Sequence, residues 1–333
     1  MLIISRTPVR ISFFGGGTDY PDYYEEHLGA VLGTTINQYV HMSVKTLKSD
    51  FFEHNIRVAY SKIELVKSVD EIEHPSIRES LKYKGISGNL DIHLFSDLPA
   101  RTGTGSSSAC TVGFLNALHA LEGKIISKQQ LAEEACYVEQ KLIGENVGSQ
   151  DQFHAAMGGF SIIEFGPSGI RATPLILSRE KKELLQSHLL VFYTGLTRFA
   201  SEVVGEQIEK TKMRKNDASL HRMKEMVYEA QESISNLPSD KMVEQLGFLL
   251  KESWGLKKQL STKVSNSFID EAYDAAIRAG AYGGKLCGAG SGGFLAFLVP
   301  PERQAAVRAA MKDLQEVDFR FESEGSTIIY MKD

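Results

Sequence analysis

Residues 98–109 read LPARTGTGSSSA. The segment follows a strand predicted over Asp91 to Phe95 and runs directly into a helix predicted over Ser107 to Glu122. A glycine-bearing turn at a helix start gathers free backbone N–H groups at the positive end of the helix, a setting that suits an anion such as phosphate. Gly103 and Gly105 let backbone approach the phosphates closely, and Ser106, Ser107 and Ser108 add hydroxyls for phosphate oxygens or a magnesium ion. No Lys-Ser or Lys-Thr pair follows the last glycine, so this is not a Walker A loop. A glycine-serine turn that only caps a helix is the competing explanation.

Composition bounds what surrounds this loop. With 333 residues, 42% hydrophobic and 24% charged, the chain is long enough for a full core and favours two domains. The expected boundary lies near residue 180, giving units 1–180 and 181–333. No apolar run reaches the roughly 20 residues of a membrane-spanning helix, and MLIISRTPVRIS is not built like a signal peptide, so the expected location is cytoplasmic. Cys110, Cys136 and Cys287 are scattered without a C-x-x-C pair and read as buried thiols rather than a disulfide framework or zinc site. A net charge of −5 with intermixed signs offers nucleic acid no basic stripe.

The first half mixes strand and helix signals. Leu2 to Ile4, Arg10 to Phe14, Val31 to Ser43 and Ile56 to Tyr60 read as strands. Ser127, with Gln130 three residues on, has the form of a capping box, opening a helix whose Leu131, Ala135, Val138 and Leu142 make one apolar stripe. Beyond residue 180, His188 to Thr194 reads as a strand, Arg198 to Asn236 as a long helix or helix pair, and Met242 to Gln259 and Phe268 to Gly280 as helices.

A second glycine cluster, GGKLCGAGSGG over Gly283 to Gly293, contains G-x-G-x-x-G at Gly288, Gly290 and Gly293. A dinucleotide-binding turn is excluded there, because FLAFLVP, a strand, follows the last glycine instead of a helix. The loop is either a plain hairpin connection or a cover over a ligand near residues 98–109. Asp151, in GSQDQ after the capped helix, is either a turn former or a catalyst, and Glu139 alone reads as a solvated helix residue. The first glycine cluster, FFGGGTDY over Phe13 to Tyr20, sets three bare residues beside a carboxylate, more glycine than a turn needs.

PVRISFFGGGTDY, LPARTGTGSSSA and KLCGAGSGG together resemble, in order and spacing over nearly the whole chain, the three motifs of the GHMP kinases. The resemblance implies an α+β fold of two domains: an N-terminal α/β domain with a left-handed β-α-β unit and a C-terminal ferredoxin-like domain, with the active site in the cleft between them. Within the superfamily, GGGTDY and YTGLTR (Tyr193 to Arg198) resemble the D-glycero-D-manno-heptose 7-phosphate kinases most, and the L-fucose kinases next. The implied reaction is ATP-dependent transfer of the γ-phosphoryl group to the anomeric hydroxyl of the heptose 7-phosphate, for nucleotide-activated heptose and surface glycan synthesis.

Roles follow from the same resemblance. Arg101, Thr102, Gly103, Thr104, Gly105, Ser106, Ser107 and Ser108 would bind ATP, with Ser107 and Glu139 holding Mg2+. Asp151 would be the catalytic carboxylate, and Arg10 the cation that keeps it ionised. Gly16, Gly17, Thr18, Asp19, Gly290 and Ser291 would face the sugar, with Arg198 and Lys285 nominated for its phosphate. Galactokinase-like sequences carry a Glu-His pair where this chain has Gly16 and Gly17, which implies extra room for a larger sugar. The expected partners are a small sugar phosphate and ATP, with no nucleic acid and no membrane, and a homodimer as the candidate assembly. A nucleotide-binding regulator without transfer activity and a hydride-transfer enzyme are the rivals from other classes.

Overall fold

The computed structural model describes residues 1–48, 51–99, 102–196, 200–288 and 290–333, without the side chains of 200–202; Arg101 and Arg198 therefore lie outside the described residues. The chain begins β1 (Leu2–Phe14), α1 (Pro21–His27), β2 (Gly29–Thr46), β3 (Ile56–Ala59), β4 (Ile63–Val66), α2 (Pro75–Lys84) and β5 (Leu90–Ser96). Next come α3 (Ser106–Leu121), α4 (Lys128–Tyr137), a π-helical turn over Val138–Ile143, α5 (Gln150–Met157), β6 (Phe160–Gly166) and β7 (Gly169–Pro174). Then follow α6 (Arg179–His188), β8 (Leu189–Tyr193), α7 (Ala200–Lys212), α8 (Asp217–Asn236), α9 (Ser239–Leu260) and α10 (Ser267–Arg278). The chain closes with β9 (Gly283–Leu286), β10 (Phe294–Leu298), α11 (Pro301–Ala310), β11 (Gln315–Glu316), β12 (Phe321–Glu322) and β13 (Thr327–Lys332).

The first sheet has the order β13-β1-β2-β5-β3-β4, with β6 and β12 pairing β2 and β7 pairing β6. Its β3–β5 pair is parallel, and the chain between them passes through β4 and α2, which makes a β-α-β unit. The second sheet, β11-β8-β10-β9, is antiparallel throughout. Thus β9 and β10 form a hairpin around the second glycine cluster. The last strand, β13, pairs with β1, so the end of the chain returns to the first sheet.

Sequence and packing explain the main departures from the expected elements. Two short strands were expected before Phe14, whereas β1 runs unbroken through Pro8; a register shift against β2 between Pro8 and Val9 accommodates the missing donor. Helix α3 is apolar on nearly every face and is buried from Ser108 to His119, packed on β1 and β2 with α4 and α5 alongside. Burial begins at Ser108, so the first turn of the helix, Ser106 and Ser107, stays accessible. Only half of the capping box forms: Ser127 Oγ accepts from the Gln130 N–H, but the Gln130 side chain turns to Glu134. Leu131, Ala135 and Val138 are buried as expected, while Leu142 is exposed, because the wide turn over Val138–Ile143 rotates it off the stripe.

The three cysteines are free and buried. The larger core joins the first sheet and α3–α5 to Met226, Val227, Leu246 and Phe294 of the later helices and second sheet. A second core fills the space between the second sheet and α9–α11. Among the described residues, no helix is long and apolar enough to cross a membrane.

Candidate active site

Residues 102–108 pack backbone to backbone against the β9–β10 loop. Gly103 has φ +79°, and a Cβ there would stand 2.3 Å from the Cys287 carbonyl oxygen; one on Gly288 would stand 2.4 Å from Gly103 Cα. The second cluster is thus both a hairpin connection and one wall of the first loop. Gly105, in the left-handed conformation, caps α3 without any side-chain hydrogen bond, so the N–H groups of the first turn are left for an anion. Gly103→Ala should lower stability by at least about 2 kcal/mol, from backbone strain plus the collision with Cys287. Gly123→Ala, at φ +68° in open space, should cost about 1 kcal/mol. Equal losses in urea unfolding would contradict the interlock.

Arg10, on β1, donates from Nε to Asp151 Oδ1 at 2.8 Å, and its Nη2 lies 2.6 Å from the same oxygen. Its Nη1 donates to the Gly103 carbonyl, and its backbone N–H to that of Thr104. One arginine therefore ties the phosphate loop to the carboxylate. Asp151 is in the first turn of α5, not in a turn of loop as expected; the helix is only Gln150–Met157, bracketed by glycines. Asp151 Oδ2 makes no hydrogen bond among the described residues and lies beside Gly105, where a Cβ would come within 3.2 Å of it. The Arg10 side chain is 5% exposed and that of Asp151 26%, so the pair opens outward on the carboxylate side. Burial raises the Asp151 pKa and nearby Asp19 adds to this; the opposing pull of Arg10 is outweighed, contrary to the expectation that it would dominate.

Glu139 is 1% exposed, not solvated. Its Oε2 accepts from Ser108 Oγ at 2.9 Å and from Gln152 Nε2 at 2.5 Å, while Oε1 has no partner. Burial pushes its carboxyl up to about 7, against the hydrogen bonds from Ser108 and Gln152. Ser108, rather than Ser107, is the serine on Glu139; Ser107 is exposed at the helix end. Among the described residues, no three His, Cys, Asp or Glu side chains gather into a metal cage.

The three glycines of FFGGGTDY have different jobs. A Cβ on Gly15 would stand 1.9 Å from the Ala30 carbonyl oxygen, and one on Gly17, at φ +118°, would press on Leu220 and Leu260. Only Gly16 faces space: its nearest neighbours would be Gln150 Nε2 and Ser12 Oγ, both at 3.7 Å. Asp19 is buried, with Oδ1 accepting the Gly17 N–H and Oδ2 accepting Gln150 Nε2, each at 2.9 Å. Thr18 spends its hydroxyl on the Gly15 and Ala30 carbonyls. Thr102 likewise caps Pro99. Ser291 gives its hydroxyl to the Lys263 carbonyl and its N–H to that of Val264, and Gly290 packs on Val264. The structure therefore joins Arg10, Asp151, Gly103 and Gly105, with Gly16 and Asp19 linked to them through Gln150, the neighbour of Asp151. Thr18, Gly290 and Ser291 are committed to local packing.

Residues 59–159 match the family described as GHMP kinases N terminal domain, and 233–316 match GHMP kinases C terminal, together more than half of the chain. The chain belongs to the GHMP kinases. It is accordingly a phosphotransferase, and ATP is the phosphoryl donor of such kinases. A D-glycero-alpha-D-manno-heptose 7-phosphate kinase of Campylobacter jejuni is 29% identical over 97% of both chains. A mevalonate kinase of Pyrococcus horikoshii is 30% identical over 79% of this chain and 72% of its own. Among solved structures, a D-glycero-D-manno-heptose 1-phosphate kinase from Bacteroides thetaiotaomicron superposes with a TM-score of 0.78 at 24% identity, over 99% of this chain and 100% of its own.

This GHMP kinase also has site-lining residues that the sequence reading passed over. Lys257 of α9 is buried, and its Nζ donates to Gln207 Oε1 at 3.2 Å. Burial lowers its pKa to about 8, as it does for Lys285, whose Nζ donates to the Phe13 carbonyl at 3.1 Å. Ser12 Oγ and Gln150 Oε1 are buried without partners. Lys257 carried a readable signal: it stands three residues from both Trp254 and Leu260 on the buried stripe of α9, where a solvated lysine has no place. His154, buried with a pKa pushed down to about 3, is a neutral core residue beneath Gly33.

Proposed function

We propose that this kinase transfers the γ-phosphoryl group of ATP to the anomeric hydroxyl of D-glycero-D-manno-heptose 7-phosphate, giving the 1,7-bisphosphate for nucleotide-activated heptose and surface glycan synthesis in the cytoplasm. The observation that carries the catalytic part is the Arg10–Asp151 pair fastened to the Gly103 carbonyl. It supports a carboxylate oxygen, Asp151 Oδ2, beside Gly105 at the start of α3. The full-length match to the Campylobacter jejuni heptose 7-phosphate kinase supports the substrate.

In this reading, the N–H groups of the Gly103–Ser108 turn and the dipole of α3 hold the nucleotide phosphates. Phosphoryl transfer chiefly requires positioning and charge neutralisation. With Oδ1 held by Arg10, Asp151 Oδ2 accepts the proton of the sugar hydroxyl or orients it towards the γ-phosphate, and the upward shift of its pKa makes it a stronger base than an ordinary aspartate. The orphaned Oε1 of buried Glu139 fits a magnesium ligand, with Ser107 as its companion at the helix end. A magnesium ion held by Glu139 and Ser107 would neutralise phosphate charge. Asp19, Gln150 and Ser12 around Gly16 face the sugar hydroxyls.

A coupled ADP-release assay over D-glycero-D-manno-heptose 7-phosphate, sedoheptulose 7-phosphate, L-fucose and galactose tests the substrate. The heptose phosphate should give the highest kcat/KM. Turnover of L-fucose alone would move the chain to the fucose kinases, whose Arabidopsis thaliana bifunctional relative is 26% identical over 94% of this chain and 31% of its own. Sedimentation of the same preparation checks the candidate homodimer.

A further inference from the structure

Lys257 and Lys285 both come close to the FFGGGTDY turn. Lys285, on β9, donates to the carbonyl of Phe13 at the start of the turn. Lys257, on α9, donates to Gln207 Oε1, and Gln207 Nε2 lies 3.4 Å from where a Cβ of Gly17 would stand. Both lysines are 7% exposed, and neither is in a salt bridge among the described residues. An ammonium has three donors, and each of these shows one hydrogen bond.

Buried charges of this kind are normally paired, because desolvation without a counter-charge is costly. The carboxylates nearby do not meet the need. Asp19 acts on both lysines only at a distance, since its oxygens are taken by Gly17 and Gln150. Asp151 is held by Arg10. Arg10, Lys257 and Lys285 thus outnumber Asp19 and Asp151, an excess of positive charge around the FFGGGTDY turn. The depressed pKa values of both lysines, each lowered chiefly by burial and further by Arg10, are what two underpaired neighbouring cations would show.

We propose that Lys257 and Lys285 form the subsite for the phosphate already carried by the acceptor sugar, with Gln207 holding Lys257 in place and the sugar lying over Gly16. The site thereby selects phosphorylated sugars over free ones. This rests on the sugar-phosphate kinase reading above. The lysines flank the acceptor turn, whereas the nucleotide loop is served by helix N–H groups, which is why the assignment is to the acceptor's phosphate rather than to ATP.

The test compares KM for D-glycero-D-manno-heptose 7-phosphate, for the unphosphorylated heptose and for ATP in wild type, Lys257→Met, Lys285→Met and Gln207→Glu. The first KM should rise about tenfold or more in each variant, while the other two change by less than about twofold. Gln207→Glu keeps both lysines and the side-chain size but sets a carboxylate against Lys257, so it decides the matter if a methionine variant does not fold. Equal losses on both sugars, or a loss confined to ATP, would overturn the subsite. A wild type that shows no preference for the phosphorylated sugar would instead refute the sugar-phosphate reading, before any variant is made.

Discussion

Asp151→Asn should lower kcat by about 10²–10⁴-fold, the range expected when a positioned general base is removed, with folding and ATP binding kept. The substitution is nearly isosteric, and the amide oxygen can still accept from Arg10, so the α5 start and the Gly103 loop stay where they are. What is lost is a charged oxygen, Oδ2, able to take or orient the acceptor's proton. Single-turnover kinetics with thermal unfolding and an ATP titration would check this. Near-normal turnover in a folded, ATP-binding variant would sink the catalytic assignment.

Arg10→Met should be more damaging to the fold. It takes from Asp151 the one ion-pair partner it has among the described residues and frees the Gly103 carbonyl, and breaking a buried pair costs about 3–5 kcal/mol. The lower part of that range is expected here, because the Asp151 side chain is 26% exposed. Since Arg10 lowers the Asp151 pKa, its removal should raise that pKa further and move the acid limb of the kcat profile to higher pH. Lysine at this position should restore the charge but not the fork that spans Asp151 and Gly103. The diagnostic comparison is the double variant Arg10→Met with Asp151→Asn: most of the lost stability should return, because the unpaired carboxylate is gone. Strictly additive losses in urea unfolding would contradict the coupling.

Much of this site was legible in the sequence because its parts are glycine-rich and local. The turn over residues 102–108 opening α3, the hairpin around Gly288 and the carboxylate after the second helix each leave a mark within about a dozen residues. What was not legible depends on contacts between distant segments. Gly103 against Cys287 joins stretches 184 residues apart in the chain, and Arg10 against Asp151, 141 apart, was readable only through the family resemblance and not from local pattern. No local pattern could reveal that Gly15 is fixed by Ala30 while Gly16 alone is free. The helix bearing Asp151 was missed because eight residues between glycines carry too little periodicity to register. Glu139 looked solvated because its place relative to the apolar stripe was read with α-helical spacing, and the π-helical turn over Val138–Ile143 shifts that spacing. Lys257 was not singled out, although it stands on the buried stripe of α9 while its neighbour Lys258 is paired with Asp270.

The central claim is transfer to an anomeric oxygen of a sugar that already carries a phosphate. Its most direct test is phosphorus NMR of the purified protein incubated with ATP, Mg2+ and D-glycero-D-manno-heptose 7-phosphate. The account predicts one new phosphate signal coupled to the anomeric proton, growing in step with ADP while the 7-phosphate signal persists. No new signal there, together with phosphorylation of unphosphorylated L-fucose or galactose under the same conditions, would contradict it.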